Sequence, residues 1–130
     1  MGLFSTFFGN SSNEKKESPV FPWIELTSLD QLDEIKEKSK AKTQLIFKHS
    51  TTCGISRMVI RTFTDTFSLT PEQADVYYLD LHKYRNLSNE VGYKFQVIHQ
   101  SPQLLIIKNG NTVANASHGS INDINLIEFA

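Results

Sequence analysis

The chain has 130 residues, of which 39% are hydrophobic and 21% charged, enough for one soluble globular domain with a sizeable core. The formal net charge of -1 argues against nucleic acid as the main partner, because a phosphate-binding surface usually carries a basic excess. A single cysteine excludes an internal disulfide and a Cys-rich zinc site. No stretch is apolar and long enough to span a membrane, and no secretory signal is visible, so we expect a cytoplasmic protein without a membrane partner.

The first 20 residues differ in composition from the rest of the chain. Residues 9–19 are polar and rich in turn-forming residues, and they offer little apolar surface for burial. We therefore predict a flexible N-terminal tail over residues 1–20 and a single folded domain over residues 21–130.

Apolar spacing and turn residues predict eight elements in the domain. Helices are predicted where apolar residues recur every three or four positions, and strands where short apolar or β-branched runs occur. The first four elements are a helix capped by Thr27 or Ser28 and ending near residue 40, a strand at 44–48, a helix at 55–67 and a strand at 75–81. The last four are a helix opened by Asn86 or Ser88 and reaching Phe95, a strand at 103–108, a return strand at 112–116 and an irregular final helix at 121–127. A hairpin turn at Asn109 and Gly110 joins the last two strands.

The order of these elements predicts the fold class. Strands joined through helices pair in parallel with right-handed crossovers, whereas the terminal hairpin adds antiparallel pairing. We therefore predict an α/β, thioredoxin-like fold in which a four-stranded mixed sheet is flanked by helices on both faces.

The strongest candidate site is Cys53, which lies between a buried strand and the start of a helix. Unpaired N–H groups and the helix dipole favour negative charge at a helix N-terminus, and a thiolate is such a charge. Ser56 occupies the position at which a dithiol oxidoreductase has its second cysteine. Its hydroxyl is predicted to donate a hydrogen bond to the Cys53 sulfur, but it cannot resolve a mixed disulfide. Arg57, one turn after Cys53, is a candidate to strengthen the positive field or contact an anionic ligand group, and Gly54 allows close approach of a partner.

A second loop is predicted to face this cysteine. Pro102 opens a core strand directly after a polar loop, a position that tolerates proline. In a thioredoxin layout this is the place of a cis proline, and the backbone of Ser101 can then pair with an extended partner chain. His118, which follows the last strand, is a candidate neighbour of the sulfur or of a ligand carboxylate. His49 and His99 are interpreted as structural or surface residues.

Several short segments occur together in a characteristic order. They are Ile46–Ser56, Tyr77–Asp80, Arg85–Asn89, Ser101–Gln103, Asn109–Gly110 and Ser117–His118. With these segments, the chain from about residue 24 to residue 128 resembles the monothiol bacilliredoxins. Two departures stand at Gly54, where the family often has proline, and at Gly119, where it often has an aromatic residue.

The resemblance implies an activity and a set of partners. It implies a protein of the bacterial cytosol that removes bacillithiol from protein mixed disulfides, with Cys53 as the attacking thiolate and Ser56 at the non-resolving position. Bacillithiol is then the co-substrate, no cofactor is tightly bound, and the partners are bacillithiolated proteins together with free bacillithiol or a second redox protein as reductant. The candidate contacts of the thiol or the partner chain are Thr52, Gly54, Arg57, Ser101, Pro102 and His118.

Two other functions are compatible with the residues alone. One is a glutaredoxin-like monothiol protein that uses another small thiol or holds an iron–sulfur cluster between two subunits. The other is a non-enzymatic adaptor of thioredoxin fold whose Cys53 is inert. Reaction of Cys53 with a mixed disulfide separates the adaptor from the two enzymes.

Overall fold

The computed structural model describes residues 20–130, so the predicted tail lies outside the described residues except for Val20, which is exposed. Within this range the chain forms five strands, three α-helices and two short 3-10 helices. They are β1 (Ile24–Glu25), α1 (Leu29–Lys38), β2 (Thr43–His49), α2 (Gly54–Thr66), β3 (Ala74–Asp80), α3 (Arg85–Phe95), β4 (Gln103–Lys108), β5 (Asn111–Ser117) and the 3-10 helices His118–Asp123 and Leu126–Phe129. No helix of this part of the chain has the length and apolar character needed to cross a membrane.

The strands form one mixed sheet in the order β1-β3-β2-β4-β5. Strands β1, β3 and β2 are parallel, whereas β4 is antiparallel to both β2 and β5. The prediction of a mixed sheet is confirmed, but the predicted number of four strands is wrong. The additional strand β1 has only two residues, Ile24 and Glu25, paired with Tyr77 and Tyr78. Two residues are too few to show an alternating pattern in the sequence.

Helices cover both faces of the sheet, as predicted. One face packs against α1 and α3, through Leu32 and Ile35 of α1 and Leu87 and Val91 of α3. The opposite face packs against α2 and the first 3-10 helix. The predicted final helix is wrong in type, because its apolar residues are irregularly spaced and the segment forms two separate 3-10 helices instead.

An aromatic cluster holds α2 against the sheet. Phe63, which is buried on α2, lies 5.1 Å from Phe47 of β2 and 6.0 Å from Trp23 between ring centroids. Phe67 lies 5.5 Å from Phe63 and also contacts Phe21. Large buried rings contribute strongly to core stability, so this cluster fixes the helix whose first turn follows Cys53.

The predicted hairpin turn is confirmed. Asn109 and Gly110 adopt φ values of 54° and 81°, respectively, between β4 and β5. These positive values are the reason why asparagine and glycine are favoured there. The tight turn pairs β4 with β5, with one bulge between Ile106 and Ile107, and Ser117 lies opposite Gln103 at the far end of the hairpin.

Candidate active site around Cys53

The ends of three strands lie together at the end of the sheet where Cys53 is found. Residue His49 at the end of β2 pairs with Asp80 at the end of the parallel strand β3. Lys48 of β2 pairs with Gln103, the first residue of the antiparallel strand β4. The loops that follow β2 and β3 and the loop that precedes β4 therefore lie at the same end of the sheet, as parallel and antiparallel register requires.

Cys53 is the N-cap residue of α2, with an extended backbone conformation (φ -102°, ψ 122°). Its carbonyl accepts the first intrahelical hydrogen bond from Arg57 N–H at 3.1 Å, and its side chain is half-buried. The N–H groups of the first helical turn, Gly54 to Ser56, have no intrahelical acceptors. The predicted position of the thiol at a helix start is confirmed.

The Ser56 side chain is directed into the protein rather than toward the thiol. Ser56 is fully buried, and its Oγ accepts a hydrogen bond from Ser50 N–H at 3.1 Å. The same oxygen lies 3.0 Å from His49 Nδ1. Burial lowers the pKa of His49, as does the charge of Arg57, although Asp80 acts in the opposite direction.

Both hydrogen bonds of Ser56 Oγ are with residues that precede Cys53. The oxygen accepts from Ser50 N–H and pairs with His49 Nδ1, in a bond whose donor is set by the histidine tautomer. This corrects the prediction that Ser56 donates to the Cys53 sulfur. The serine instead anchors the loop before Cys53 to the end of β2.

We expect Ser56→Ala to destabilise the fold more than it slows the chemistry. The variant leaves the buried Ser50 N–H and His49 Nδ1 without their partner, which should lower the free energy of unfolding by about 1–2 kcal/mol. Urea unfolding followed by circular dichroism measures this change, and thiol exchange is measured on the folded variant. Loss of exchange with unchanged stability would contradict the anchoring role and restore direct contact with the sulfur.

Arg57 folds back toward the start of its own helix. A Cβ added at Gly54 would lie 3.8 Å from Arg57 Nη2 and would meet nothing closer. The guanidinium therefore lies over Gly54, the residue after Cys53, and its charge also reaches His49. This geometry supports the predicted positive field near the thiol. The role of Arg57 as a contact of an anionic ligand stays a prediction.

The proline loop before β4 has the predicted cis Ser101–Pro102 peptide bond. The carbonyl of the buried Pro102 accepts a hydrogen bond from His118 N–H at 3.0 Å, which brings the residue after β5 beside the proline loop. His118 has a φ of 55°, and its exposed ring forms no hydrogen bond with residues 20–130. Its role in ligand binding stays a prediction, and Gly119 has open space around it.

The main chain of Ser101 is unpaired within residues 20–130. Neither its N–H nor its carbonyl forms a hydrogen bond within the described part of the chain. Its Oγ is enclosed and likewise has no hydrogen-bond partner there. An unpaired peptide unit at the edge of a site is a template for an extended chain, so this geometry supports the predicted pairing of Ser101 with a partner backbone.

His82 is a site residue that the sequence analysis missed. It follows β3, and its Nε2 lies 2.7 Å from Ser50 Oγ and 3.1 Å from Thr52 Oγ1. The histidine therefore braces the loop directly before Cys53. The signal was present in the sequence, because parallel neighbouring strands end at the same edge of a sheet, but residue spacing alone does not identify which side chains touch.

Lys48 is the second residue whose environment was missed. It is fully buried, and its Nζ lies 3.3 Å from Nδ1 of His99 in the proline loop. Burial lowers the pKa of Lys48 to about 8. Gln103 also holds this loop, because its amide donates to Ile98 O at 3.0 Å and its Oε1 accepts from Gln100 N–H at 3.3 Å.

Similarity to known proteins agrees with this fold and site. A solved thioredoxin-fold protein, provisionally assigned as an oxidoreductase, shares 36% identity with a TM-score of 0.69, covering 82% of this chain and 92% of the other. Thioredoxin of Malassezia sympodialis (21% identity, TM-score 0.68, 88% and 96% covered) and a thioredoxin mutant of Halobacterium salinarum (15%, 0.61, 87% and 97%) show the same fold. The chain is thus a thioredoxin-fold protein whose one cysteine lies at the N-cap of α2.

The family is defined more narrowly by sequence. Residues 24–126 match the family described as monothiol bacilliredoxin BrxC. The chain belongs to this family, as its resemblance to the monothiol bacilliredoxins predicted. Family, fold and the position of Cys53 together support a monothiol thiol–disulfide oxidoreductase.

Proposed function

We propose that this protein removes bacillithiol from protein mixed disulfides in the cytosol, using Cys53 as its only attacking group. The observation that carries the proposal is the position of the chain's only thiol, at the N-cap of α2 in a bacilliredoxin-family domain. A second thiol is absent from the chain, so the protein cannot resolve its own mixed disulfide.

The proposed reaction has two exchange steps. In the first, the Cys53 thiolate attacks the bacillithiol sulfur of the mixed disulfide. The bond between bacillithiol and the substrate protein breaks, a bond between bacillithiol and Cys53 forms, and the substrate protein leaves as a thiolate that takes a proton from water. One disulfide replaces another, so this step needs no outside oxidant or reductant.

The second step restores the enzyme. A thiolate from free bacillithiol or from a second redox protein attacks the bacillithiol sulfur held on Cys53. Cys53 leaves as a thiolate, and the new disulfide carries bacillithiol away. The helix start stabilises Cys53 as a leaving group here for the same reason that it stabilises the attacking form in the first step.

The surface around Cys53 suits a protein substrate. Ile55 and Met58 on α2 are exposed, as is Ile98 in the proline loop. Exposed apolar side chains next to a reactive group are typical of a surface that contacts another protein. Together with the unpaired main chain of Ser101, they support docking of an extended segment that carries the mixed disulfide.

Intact-mass spectrometry tests the proposal. Reduced protein is mixed with a bacillithiolated test protein and, in parallel, with the same protein glutathionylated. We expect Cys53 to gain the mass of bacillithiol while the test protein is released with a free thiol, faster than the corresponding transfer of glutathione. The control is the same protein with Cys53 alkylated beforehand.

Other outcomes assign the protein to the alternatives. Transfer of glutathione alone would contradict the bacillithiol proposal and favour a glutaredoxin-like activity. No transfer from either substrate, by protein that is folded and reduced, would contradict enzymatic exchange and favour the adaptor.

A further inference from the structure

An open groove of about 780 Å³ lies beside the loop that precedes Cys53, between the starts of α1 and α3. Thr27 and Ser28 line one side, and His82, Lys83 and Arg85 line the other. His82 joins the groove to the reactive thiol, because its Nε2 is 3.1 Å from Thr52 Oγ1 and Thr52 is the residue before Cys53. A group in this groove is therefore close to any molecule whose sulfur reaches Cys53.

The groove adjoins a set of basic side chains that we call the cationic cluster: Lys48, His82, Lys83, Arg85 and His99. Lys48 Nζ lies 3.3 Å from His99 Nδ1. Partial burial lowers the pKa of His99, and the positive charges of Lys48 and Arg85 lower it further. Among residues 20–130, no member of the cluster forms a salt bridge.

The acidic groups nearby do not neutralise the cluster. Asp80 Oδ1 accepts hydrogen bonds from the backbone N–H groups of His82 and Lys83, at 3.1 and 3.2 Å, rather than pairing with their side chains. Among residues 20–130, Glu90 is the only acidic residue that lines the groove. A fully buried lysine without a carboxylate is costly to the fold, and such groups are usually retained for a function.

We propose that the groove and the cationic cluster form a carboxylate-binding subsite for the molecule whose sulfur is exchanged at Cys53. This inference rests on the proposed exchange function and deepens it. Arginine binds carboxylates through a planar pair of donors, and Arg85 lines the groove while its charge also reaches His99. The buried ammonium of Lys48, whose pKa is lowered to about 8, adds a positive charge behind the proline loop at neutral pH. The subsite selects a carboxylate-bearing thiol or segment over a neutral one.

The reaction of Cys53 with two chromogenic disulfides tests the subsite. One is 5,5′-dithiobis(2-nitrobenzoate), which carries two carboxylates, and the other is the neutral 4,4′-dithiodipyridine. We expect Arg85→Gln to lower the second-order rate constant for the carboxylate disulfide by about fivefold and to leave that for the neutral disulfide unchanged. The matched control is Arg61→Gln, which removes the same charge from α2 and lies outside the groove.

Two results in this assay would overturn the proposal. An equal loss with both disulfides would mean that Arg85 acts on the reactivity of the thiol, and an equal loss in Arg61→Gln would mean a general field without a site. Failure of wild-type Cys53 to react with either disulfide would contradict the proposed exchange function instead.

Titration with succinate, a dicarboxylate that contains no sulfur, measures carboxylate binding separately from disulfide exchange. In the Cys53→Ser protein, we expect saturable changes in the amide NMR signals of Lys83, Arg85 and His99, and we expect Arg85→Gln to abolish them. Absence of these changes, or their persistence in Arg85→Gln, would overturn the subsite whatever Cys53 does.

The source of the carboxylate is identified with two peptide mixed disulfides. In one, a neutral peptide carries glutathione, so that the carboxylates lie on the small thiol. In the other, a peptide with aspartate next to its cysteine carries the neutral thiol 2-mercaptoethanol. A rate loss in Arg85→Gln with the first peptide assigns the subsite to the small thiol, and a loss with the second assigns it to the protein segment. No loss with either would overturn the proposal.

Discussion

Cys53→Ser is expected to abolish disulfide exchange while leaving the domain folded. The chain has no other thiol, so no sulfur remains to form the mixed disulfide. Serine is among the preferred N-cap residues, because its hydroxyl accepts a backbone N–H bond of the first turn, whereas Cys53 makes no such side-chain bond. The free energy of unfolding should therefore stay unchanged or rise by about 0.5–1 kcal/mol. Intact-mass transfer and urea unfolding measure the two effects.

Moving the thiol by one residue provides a control for its position. The double variant Thr52→Cys with Cys53→Ser keeps one cysteine but removes it from the N-cap of α2. If the helix start makes the thiol reactive, this variant should exchange slowly although its thiol remains. Exchange at the wild-type rate by the double variant would contradict the role of the helix start, and exchange by Cys53→Ser alone would contradict the assignment of the attacking group.

The parts of the site that depend on backbone geometry were predictable from the sequence. Cys53 at a helix start follows from the change between an apolar strand and a helical apolar pattern. The proline at the opening of β4 follows from the rule that a central strand excludes proline from its interior. Both predictions concern where one residue lies along its own element, and local patterns report this directly.

The parts that depend on contacts between elements were not predictable in the same way. Ser56 was expected to bond the neighbouring sulfur, but it bonds His49, seven residues earlier, because α2 lies across the end of β2. His82 contacts Thr52 from the turn after the adjacent strand β3, 30 residues further along the chain. Residue spacing identifies the face on which a side chain lies, but the partner depends on register and helix orientation.

Lys48 shows a further limit of pattern reading. Lysine is normally exposed because its ammonium is costly to bury, so a lysine near the end of a strand is read as the point where the strand reaches water. All seven residues of β2 are buried, however, and Lys48 lies under the proline loop beside His99. A residue that is kept for function although it costs stability does not follow the local sequence pattern. Such residues tend to lie at functional sites.

Lys48→Met is expected to stabilise the protein by up to about 3.5 kcal/mol at neutral pH while weakening its preference for carboxylate disulfides. The pKa of Lys48 falls from 10.5 in the unfolded chain to about 8 in the folded one, and each pKa unit corresponds to about 1.4 kcal/mol. Methionine has a similar length and no charge, so it removes the penalty for burying the ammonium. The variant removes the hydrogen bond between Lys48 and His99 Nδ1. Because His99 is exposed, water can take the place of the lysine.

The pH dependence of this stabilisation identifies its cause. Below pH 8 both states of the wild-type chain hold the lysine proton, so the folded state bears the full penalty. Between pH 8 and 10.5 the folded state releases the proton first, and wild-type stability rises with pH. The advantage of Lys48→Met should therefore shrink between about pH 7 and pH 9.5, and the partial ionisation of tyrosines at the higher pH affects both proteins equally and cancels in the comparison.

Urea unfolding of both proteins at the two pH values measures this difference, with Lys40→Met, in the exposed turn after α1, as the matched control. A destabilised Lys48→Met, or an advantage that does not change with pH, would mean that the ammonium is compensated in the fold. A buried charge that is already compensated would have no reason to bind a carboxylate, so this result would also remove the buried lysine from the carboxylate-binding subsite.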